Sequence, residues 1–154
     1  MIDEPQIVQT AAQQAAVIHV TVLRDKIREV MGPGYSELME SLAAQGVTPV
    51  GPWFTHHSKM DPDTFDFEIG VPVAAPVKPA GRMKAGQLPA ARVARTVYHG
   101  PYEGLPGGWG EFDEWIKDNG HESGPGLWEV YAVGPESGSD SSKWRTELNR
   151  PLAS

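Results

Sequence analysis

The pattern of apolar and polar residues predicts six β-strands, and in some of them the two kinds of residue alternate with the period of two typical of a strand. Aromatic and β-branched side chains dominate these stretches, while glycine, proline and polar residues separate them. The predicted strands cover residues 15–23, 50–57, 64–73, 91–99, 127–133 and 144–152. We expect them to form an antiparallel-rich sheet.

Two other stretches carry apolar residues along one side of a helix. The stripe of the first helix consists of Tyr35, Leu38, Met39 and Leu42, and that of the second consists of Trp109, Phe112 and Ile116. Gly46 and Gly120 are expected to end these helices, because glycine readily adopts the left-handed conformation found there. A break is expected at Gly32-Pro33-Gly34, because proline lacks a backbone N–H group.

The two helices belong to an internal repeat. Their stripes and terminal glycines match at an offset of 74 residues, as between Tyr35 and Trp109 (109 − 35). The last strands match at an offset of 79, between Phe65 and Trp144 (144 − 65), as a five-residue insertion in the preceding hairpin loop would produce. The repeated unit is β-α-β-β, with repeat one over about residues 15–73, a linker over 74–81 and repeat two over about 90–152.

This pattern predicts an α+β fold in a single domain, residues 1–154. One βαββ unit has too little surface to cover both a sheet face and a helix stripe, so the two units are expected to form a pseudo-two-fold tandem. Its two main helices would flank a central cleft, and clefts of this kind commonly hold small molecules.

One carboxylate stands in the middle of a strand that is otherwise apolar and aromatic. Strand alternation places Glu129 on the same face as Leu127, Tyr131 and Val133. Two interpretations follow from the residues alone: a glutamate at a partly exposed sheet position, or a carboxylate at the base of an aromatic pocket.

Composition excludes several classes of function. The chain has 20 acidic and 13 basic residues, a net charge of −7, so direct nucleic-acid binding is disfavoured. It has no cysteine, which excludes disulfides, thiolate metal sites and cysteine nucleophiles. The absence of a signal peptide and of a membrane-spanning apolar run predicts a cytoplasmic protein with no membrane partner.

No cofactor and no metal site is expected. His56 and His57 are adjacent in a predicted strand and would point to opposite faces, so they cannot chelate one metal ion together. The chain also lacks the Gly-x-Ser-x-Gly motif of serine hydrolases and any phosphate-binding loop.

Three segments of the second half carry a family resemblance, namely Tyr98-His-Gly-Pro-Tyr-Glu-Gly-Leu-Pro-Gly-Gly-Trp109, Trp128-Glu-Val-Tyr131 and Trp144-Arg-Thr-Glu-Leu148. Together they resemble the GyrI-like small-molecule-binding domain. The resemblance covers nearly the whole chain and is strongest over residues 92–152. That superfamily includes the effector-binding domains of AraC-type and MerR-type multidrug-responsive regulators and stand-alone gyrase-inhibitory proteins.

The resemblance implies a central aromatic pocket for cationic or amphipathic aromatic compounds, with a glutamate of the penultimate strand at its floor. Glu129 matches that glutamate, and Tyr131 and Trp144 match aromatic positions of the pocket. No helix-turn-helix precedes the first strand, so a stand-alone version without transcription regulation of its own is expected.

Three further aromatic residues are candidates for the pocket. Trp53 stands in the matching strand of repeat one, beside Gly51-Pro52. Tyr98 and Trp109 have two alternatives, since each could line the cleft or simply pack the second helix.

Three functions remain open at this point. The first is a binding module for amphipathic aromatic or cationic small molecules. The second is a hydrolase of strained electrophilic natural products such as activated cyclopropanes, as in some stand-alone proteins that this chain resembles, with Glu129 as the general base. The third and least favoured is an interaction protein that inhibits DNA gyrase.

Overall fold

The computed structural model of the protein describes residues 2–60, 63–124, 126–133 and 140–153, over which the chain forms eight β-strands and two α-helices. In chain order these are β1 (Gln6–Gln9), β2 (Gln13–Leu23), α1 (Ile27–Ala44), β3 (Phe54–Met60), β4 (Thr64–Pro72), β5 (Met83–Leu88), β6 (Arg92–His99), α2 (Leu105–Asp118), β7 (Leu127–Val133) and β8 (Arg145–Pro151). The hairpin loop expected between the strands at 127–133 and 144–152 falls largely outside the described residues. Neither helix is both long and apolar enough to cross a membrane.

The chain divides into two compact units. The first-repeat unit is Ala11–Ala90, and the second-repeat unit combines Met1–Thr10 with Ala91–Ser154. The strand order is β5-β2-β4-β3 in the first-repeat unit and β1-β6-β8-β7 in the second-repeat unit, with antiparallel neighbours throughout. The predicted α+β class, with antiparallel strands and two main helices, is confirmed.

Both units follow the β-α-β-β order, as β2-α1-β3-β4 and as β6-α2-β7-β8. In each unit the last of these strands lies between the other two, and an outer strand pairs with the first. These outer strands, β5 and β1, were not predicted. Their sequences, Met-Lys-Ala-Gly-Gln-Leu and Gln-Ile-Val-Gln, are short and partly polar, as is usual at the edge of a sheet.

The break predicted at Gly32-Pro33-Gly34 is wrong, because α1 continues through Pro33 as one helix. Proline removes a single helical hydrogen bond. The next two turns bury Leu38 and Leu42 completely, and this burial outweighs the loss. Gly34 helps in this packing. A Cβ atom there would lie 2.5 Å from Cδ1 of Ile69 on β4, so glycine lets the helix approach the sheet closely.

Glycine ends both helices as predicted. Gly46 and Gly120 have φ angles of 68° and 77°, in the left-handed region. After α2, the backbone N–H of His121 donates to the carbonyl of Ile116 at 3.0 Å, which satisfies a carbonyl of the last helical turn.

The second-repeat unit depends on close contact between α2 and β6. Tyr98 of β6 is 4% exposed and belongs to a core that also contains Phe112, Ile116 and Leu148. Its ring lies directly under α2, where a Cβ atom added to Gly108 would come within 2.7 Å of Tyr98 Cδ1. The absence of a side chain at position 108 therefore sets the distance between helix and sheet.

Gly108→Ala and Gly110→Ala form a matched pair that tests this contact. Alanine is the better helix former by about 0.5–1 kcal/mol at either position. Nothing lies within 4 Å of a Cβ atom at Gly110, whereas Gly108→Ala overpacks against Tyr98, which costs about 1–3 kcal/mol. Urea denaturation should show a higher free energy of unfolding for Gly110→Ala and a lower one for Gly108→Ala. An equal gain in both variants would contradict the packing described here.

Candidate functional site

Glu129 lies on β7, next to an irregularity in the pairing of β7 with β8. Val130 pairs with Glu147 and Val133 pairs with Arg145, so two residues of β7 stand opposite the single residue Thr146 of β8. This arrangement is a β-bulge, a feature that re-aims side chains and is frequent near functional sites.

Two aromatic side chains hold the Glu129 carboxylate. The indole Nε1–H of Trp109, on α2, donates to Oε2 at 2.6 Å, and the hydroxyl of Tyr131 donates to Oε1 at 2.8 Å. Each carboxylate oxygen therefore accepts one hydrogen bond from an aromatic residue. The alternation predicted for β7, with Glu129 and Tyr131 on one face, agrees with this geometry.

Burial raises the pKa of Glu129 above its ordinary value of 4.5, because the charged form loses contact with water. The hydrogen bonds from Trp109 and Tyr131 act in the opposite direction, since they stabilise the charged form. Desolvation is the larger effect. The pKa of Glu129 is thus raised, as burial among aromatic rings predicts for a carboxylate.

A row of aromatic rings continues from Tyr131 to Trp144. Tyr102 contacts Tyr131 edge-on, with ring centroids 5.9 Å apart, and contacts Trp144 in a tilted arrangement at 5.0 Å. Trp144 is held near the turn that carries Tyr102 because its carbonyl accepts a hydrogen bond from Gly100 N–H at 3.1 Å. We refer to Tyr102, Trp109, Glu129, Tyr131 and Trp144 as the Glu129 cluster.

Tyr102 is the member of the Glu129 cluster that sequence reasoning missed. It lies in a short 3₁₀ turn immediately before α2, where neither strand nor helix periodicity indicates the direction of a side chain. The one signal available was its position inside the Tyr98–Trp109 segment that carries the family resemblance.

Two other predicted site residues lie in different surroundings. Tyr98 packs beneath α2, and its hydroxyl donates to the carbonyl of Pro101 at 2.9 Å, which matches the helix-packing alternative. Trp53 belongs to the first-repeat unit and contacts Tyr35, with ring centroids 4.7 Å apart. A ligand-binding role for Trp53 stays a prediction.

The first-repeat unit carries different chemistry at the equivalent positions. The offset of 74 relates Thr55 to Glu129 and His57 to Tyr131. His57 is buried and stacks on Phe67, with ring centroids 4.9 Å apart. Burial, followed by the charges of His56 and Arg24, lowers the pKa of His57 to about 4. This unit therefore offers a neutral threonine and a neutral imidazole where the second-repeat unit has a carboxylate and a phenol.

Two other kinds of site were considered within the described residues, a surface depression and a metal-binding cluster. An open depression of about 520 Å³ in the first-repeat unit has only small or neutral lining residues, namely Gln14, Pro76, Ala85, Gly86 and Gln87. Over residues 2–60, 63–124, 126–133 and 140–153, no three His, Asp or Glu side chains come together in a way that could hold a metal ion. The Glu129 cluster is thus the strongest candidate site.

Comparison with solved structures identifies proteins of the same fold. The C-terminal domain of EcmrR has 21% sequence identity and a TM-score of 0.83, over 97% of this chain and 96% of that domain. The chain spans 57% of the EcmrR chain in a complex of that protein with DNA. No curated protein sequence matches the chain.

Two other solved structures share the fold at lower sequence identity. A hydrolase from Listeria innocua has 13% identity and a TM-score of 0.68, over 97% of this chain and 92% of that one. SAV2435, bound to tetraphenylphosphonium, has 13% identity and a TM-score of 0.66, over 97% of this chain and 94% of that one.

A family model covers almost the entire sequence and agrees with the resemblance noted in its second half. Because the GyrI-like small molecule binding domain matches residues 3–153, the chain belongs to the GyrI-like family of small-molecule-binding domains.

Proposed function

We propose that the Glu129 cluster is the ligand-binding site of this domain and that it takes aromatic or amphipathic cations. The observation that carries the proposal is a desolvated carboxylate whose two oxygens are held by Trp109 and Tyr131. A carboxylate has about four lone-pair positions, so acceptor capacity remains after these two hydrogen bonds. A bound cation would stabilise the charged form and offset the unfavourable burial of Glu129.

The aromatic rings supply the second half of the recognition. Tyr102 and Trp144 are partly exposed and contact each other, and Tyr102 also contacts Tyr131, so a planar ligand could stack on them while its charge faces the carboxylate. Cation–π attraction adds about 0.5–1 kcal/mol at an exposed site and about 2 kcal/mol or more when the cation is desolvated. The tetraphenylphosphonium bound by SAV2435, a hydrophobic aromatic cation, supports this ligand class for a protein of the same fold.

Hydrolysis is the second candidate function, and the raised pKa of Glu129 favours it. A carboxylate with a raised pKa is a stronger base near neutral pH than a solvated glutamate. Glu129 would take a proton from water while the water oxygen attacks the strained carbon of a substrate such as an activated cyclopropane. The electron pair of the broken ring bond would move into a conjugated carbonyl of the substrate. The Listeria innocua hydrolase supports this alternative through its shared fold.

Replacing Trp144 tests the aromatic wall. Proflavine, a planar dye that is cationic at neutral pH, should quench the tryptophan fluorescence of the protein as it stacks. Trp144→Ala should weaken its binding about fivefold or more, since aromatic and cation–π contacts are lost. Lys143→Ala, a change at the exposed neighbouring residue, is the control and should bind as the wild type does. Similar affinities in both variants would remove Trp144 from the site.

Glu129→Gln distinguishes a receptor from a hydrolase, because it keeps the shape of the side chain and removes its charge. For a receptor, calorimetry should show at least about tenfold weaker binding of tetraphenylphosphonium, with binding of neutral triphenylphosphine oxide retained. For a hydrolase, turnover of a cyclopropane electrophile should fall by about 100-fold or more while the substrate still binds. Unchanged binding and unchanged turnover would contradict both functions.

The raised pKa of Glu129 also predicts how stability depends on pH. Between the ordinary pKa of 4.5 and the raised pKa, the folded protein binds more protons than the unfolded chain, so stability falls as pH rises. Glu129→Gln removes this dependence. The free energy of unfolding of Glu129→Gln minus that of wild type should therefore grow with pH across this interval, by about 1.4 kcal/mol for each unit by which the pKa of Glu129 is raised.

Tyr131→Phe is the companion variant in this pH series. It removes a hydrogen bond that stabilises the charged carboxylate, so it should raise the pKa of Glu129 further and extend the loss of stability to higher pH. Denaturation curves recorded from pH 4 to about pH 9 would measure both effects. A constant difference between Glu129→Gln and wild type over that range would mean that the carboxylate is not desolvated.

A further inference from the structure

Thr146 of β8 has an unusual environment for a hydroxyl group. Its side chain is completely buried, and its Oγ1 atom has no hydrogen-bond partner among the described residues. Thr96 of β6 is also buried, but its hydroxyl donates to the carbonyl of Asp3 at 2.7 Å. A buried hydroxyl without a partner is unfavourable, and most buried polar groups in proteins avoid this state.

The strand pairing places Thr146 beside the Glu129 cluster. Glu129 pairs with Leu148, so these two side chains share a face of the sheet, and strand alternation puts Thr146 on the same face. Thr146 is also the residue of β8 that stands opposite the bulge of β7, where Tyr131 lies. The unpartnered hydroxyl is therefore on the side of the sheet that carries the carboxylate.

The fold itself does not require a hydroxyl at this place. The offset of 79 relates Thr146 to Phe67 in the first-repeat unit, where an apolar ring packs on His57. An apolar residue is thus compatible with the same strand position in a unit of the same topology. A function in ligand recognition would account for a buried hydroxyl that makes no hydrogen bond within the described residues.

We propose that the Thr146 hydroxyl is a second polar contact of the Glu129 cluster, which selects cations whose aromatic system also carries an N–H or carbonyl group. This inference rests on the proposed function of the cluster. A threonine hydroxyl both donates and accepts, so it can pair with either kind of group. Because Thr146 is completely buried, a ligand would reach its hydroxyl only after a side chain moves, and Trp144, two residues away along the chain and only partly buried, is the side chain that we expect to move.

Two related dyes test the proposal. Proflavine and 10-methylacridinium are both planar acridine cations, but only proflavine carries ring amino groups. Thr146→Val removes the hydroxyl with little change of shape, and it should lower the affinity for proflavine relative to 10-methylacridinium by about five- to tenfold, as expected for one lost hydrogen bond. Thr146→Ser keeps the hydroxyl and should restore the wild-type ratio. Thr96→Val is the matched control, and it should leave the ratio unchanged.

Stability provides an independent measurement on the same variants. Removing an unpartnered hydroxyl should raise the urea midpoint of Thr146→Val, whereas Thr96→Val loses a hydrogen bond and should lower it. A raised midpoint with a reduced dye ratio supports the proposal. An unchanged dye ratio in Thr146→Val overturns it, whatever the midpoint. If the wild type binds neither dye and tetraphenylphosphonium also fails to bind, the proposed function of the cluster fails as well. Ligand binding by the wild type therefore distinguishes a failure of the Thr146 proposal alone from a failure of the proposed function.

Discussion

The burial of one carboxylate connects the parts of the second-repeat unit that form the candidate site. Glu129 on β7 is unfavourable there as an anion, and the two hydrogen bonds that stabilise it come from α2 and from β7 itself. Trp109 can reach Glu129 because α2 lies close to the sheet, and that approach depends on Gly108 standing over the ring of Tyr98. The core contact and the site contact involve consecutive residues of one helix. A change in the packing of α2 should therefore alter the position of the indole donor.

The sequence predicted those features that follow from local periodicity. Alternation along β7 placed Glu129 and Tyr131 on one face, and the spacing of Gly46 and Gly120 located the ends of both helices. Features that depend on tertiary contacts were missed. Pro33 was predicted to break the helix because proline has a very low helix propensity. In the structure, the burial of Leu38 and Leu42 outweighs that propensity and holds the helix together.

Two residues in or beside the Glu129 cluster escaped prediction because the pattern along a single element does not place them. Tyr102 lies in a 3₁₀ turn, where neither strand nor helix periodicity indicates the direction of a side chain. Thr146 lies beside the cluster only through the pairing of β8 with β7 and stands opposite the bulge of β7. Pairing and bulges depend on how two strands meet across the sheet, which the sequence of one strand does not specify.

The same two hydrogen bonds that order Glu129 also bear on its chemistry. A general base must release its donors or use a remaining lone pair to take a proton from water, and donors that stabilise the anion make it a weaker base. For binding a cation, those donors are an advantage, because they fix the carboxylate in place and oppose the effect of burial on its charged form. Trp109 and Tyr131 thus support binding, rather than hydrolysis, as the proposed function of the cluster. Hydrolysis would use either a remaining lone pair of the carboxylate or a substrate that displaces one donor. Trp109 is the better candidate for displacement because it belongs to a separate element, α2, whereas Tyr131 lies two residues from Glu129 on the same strand.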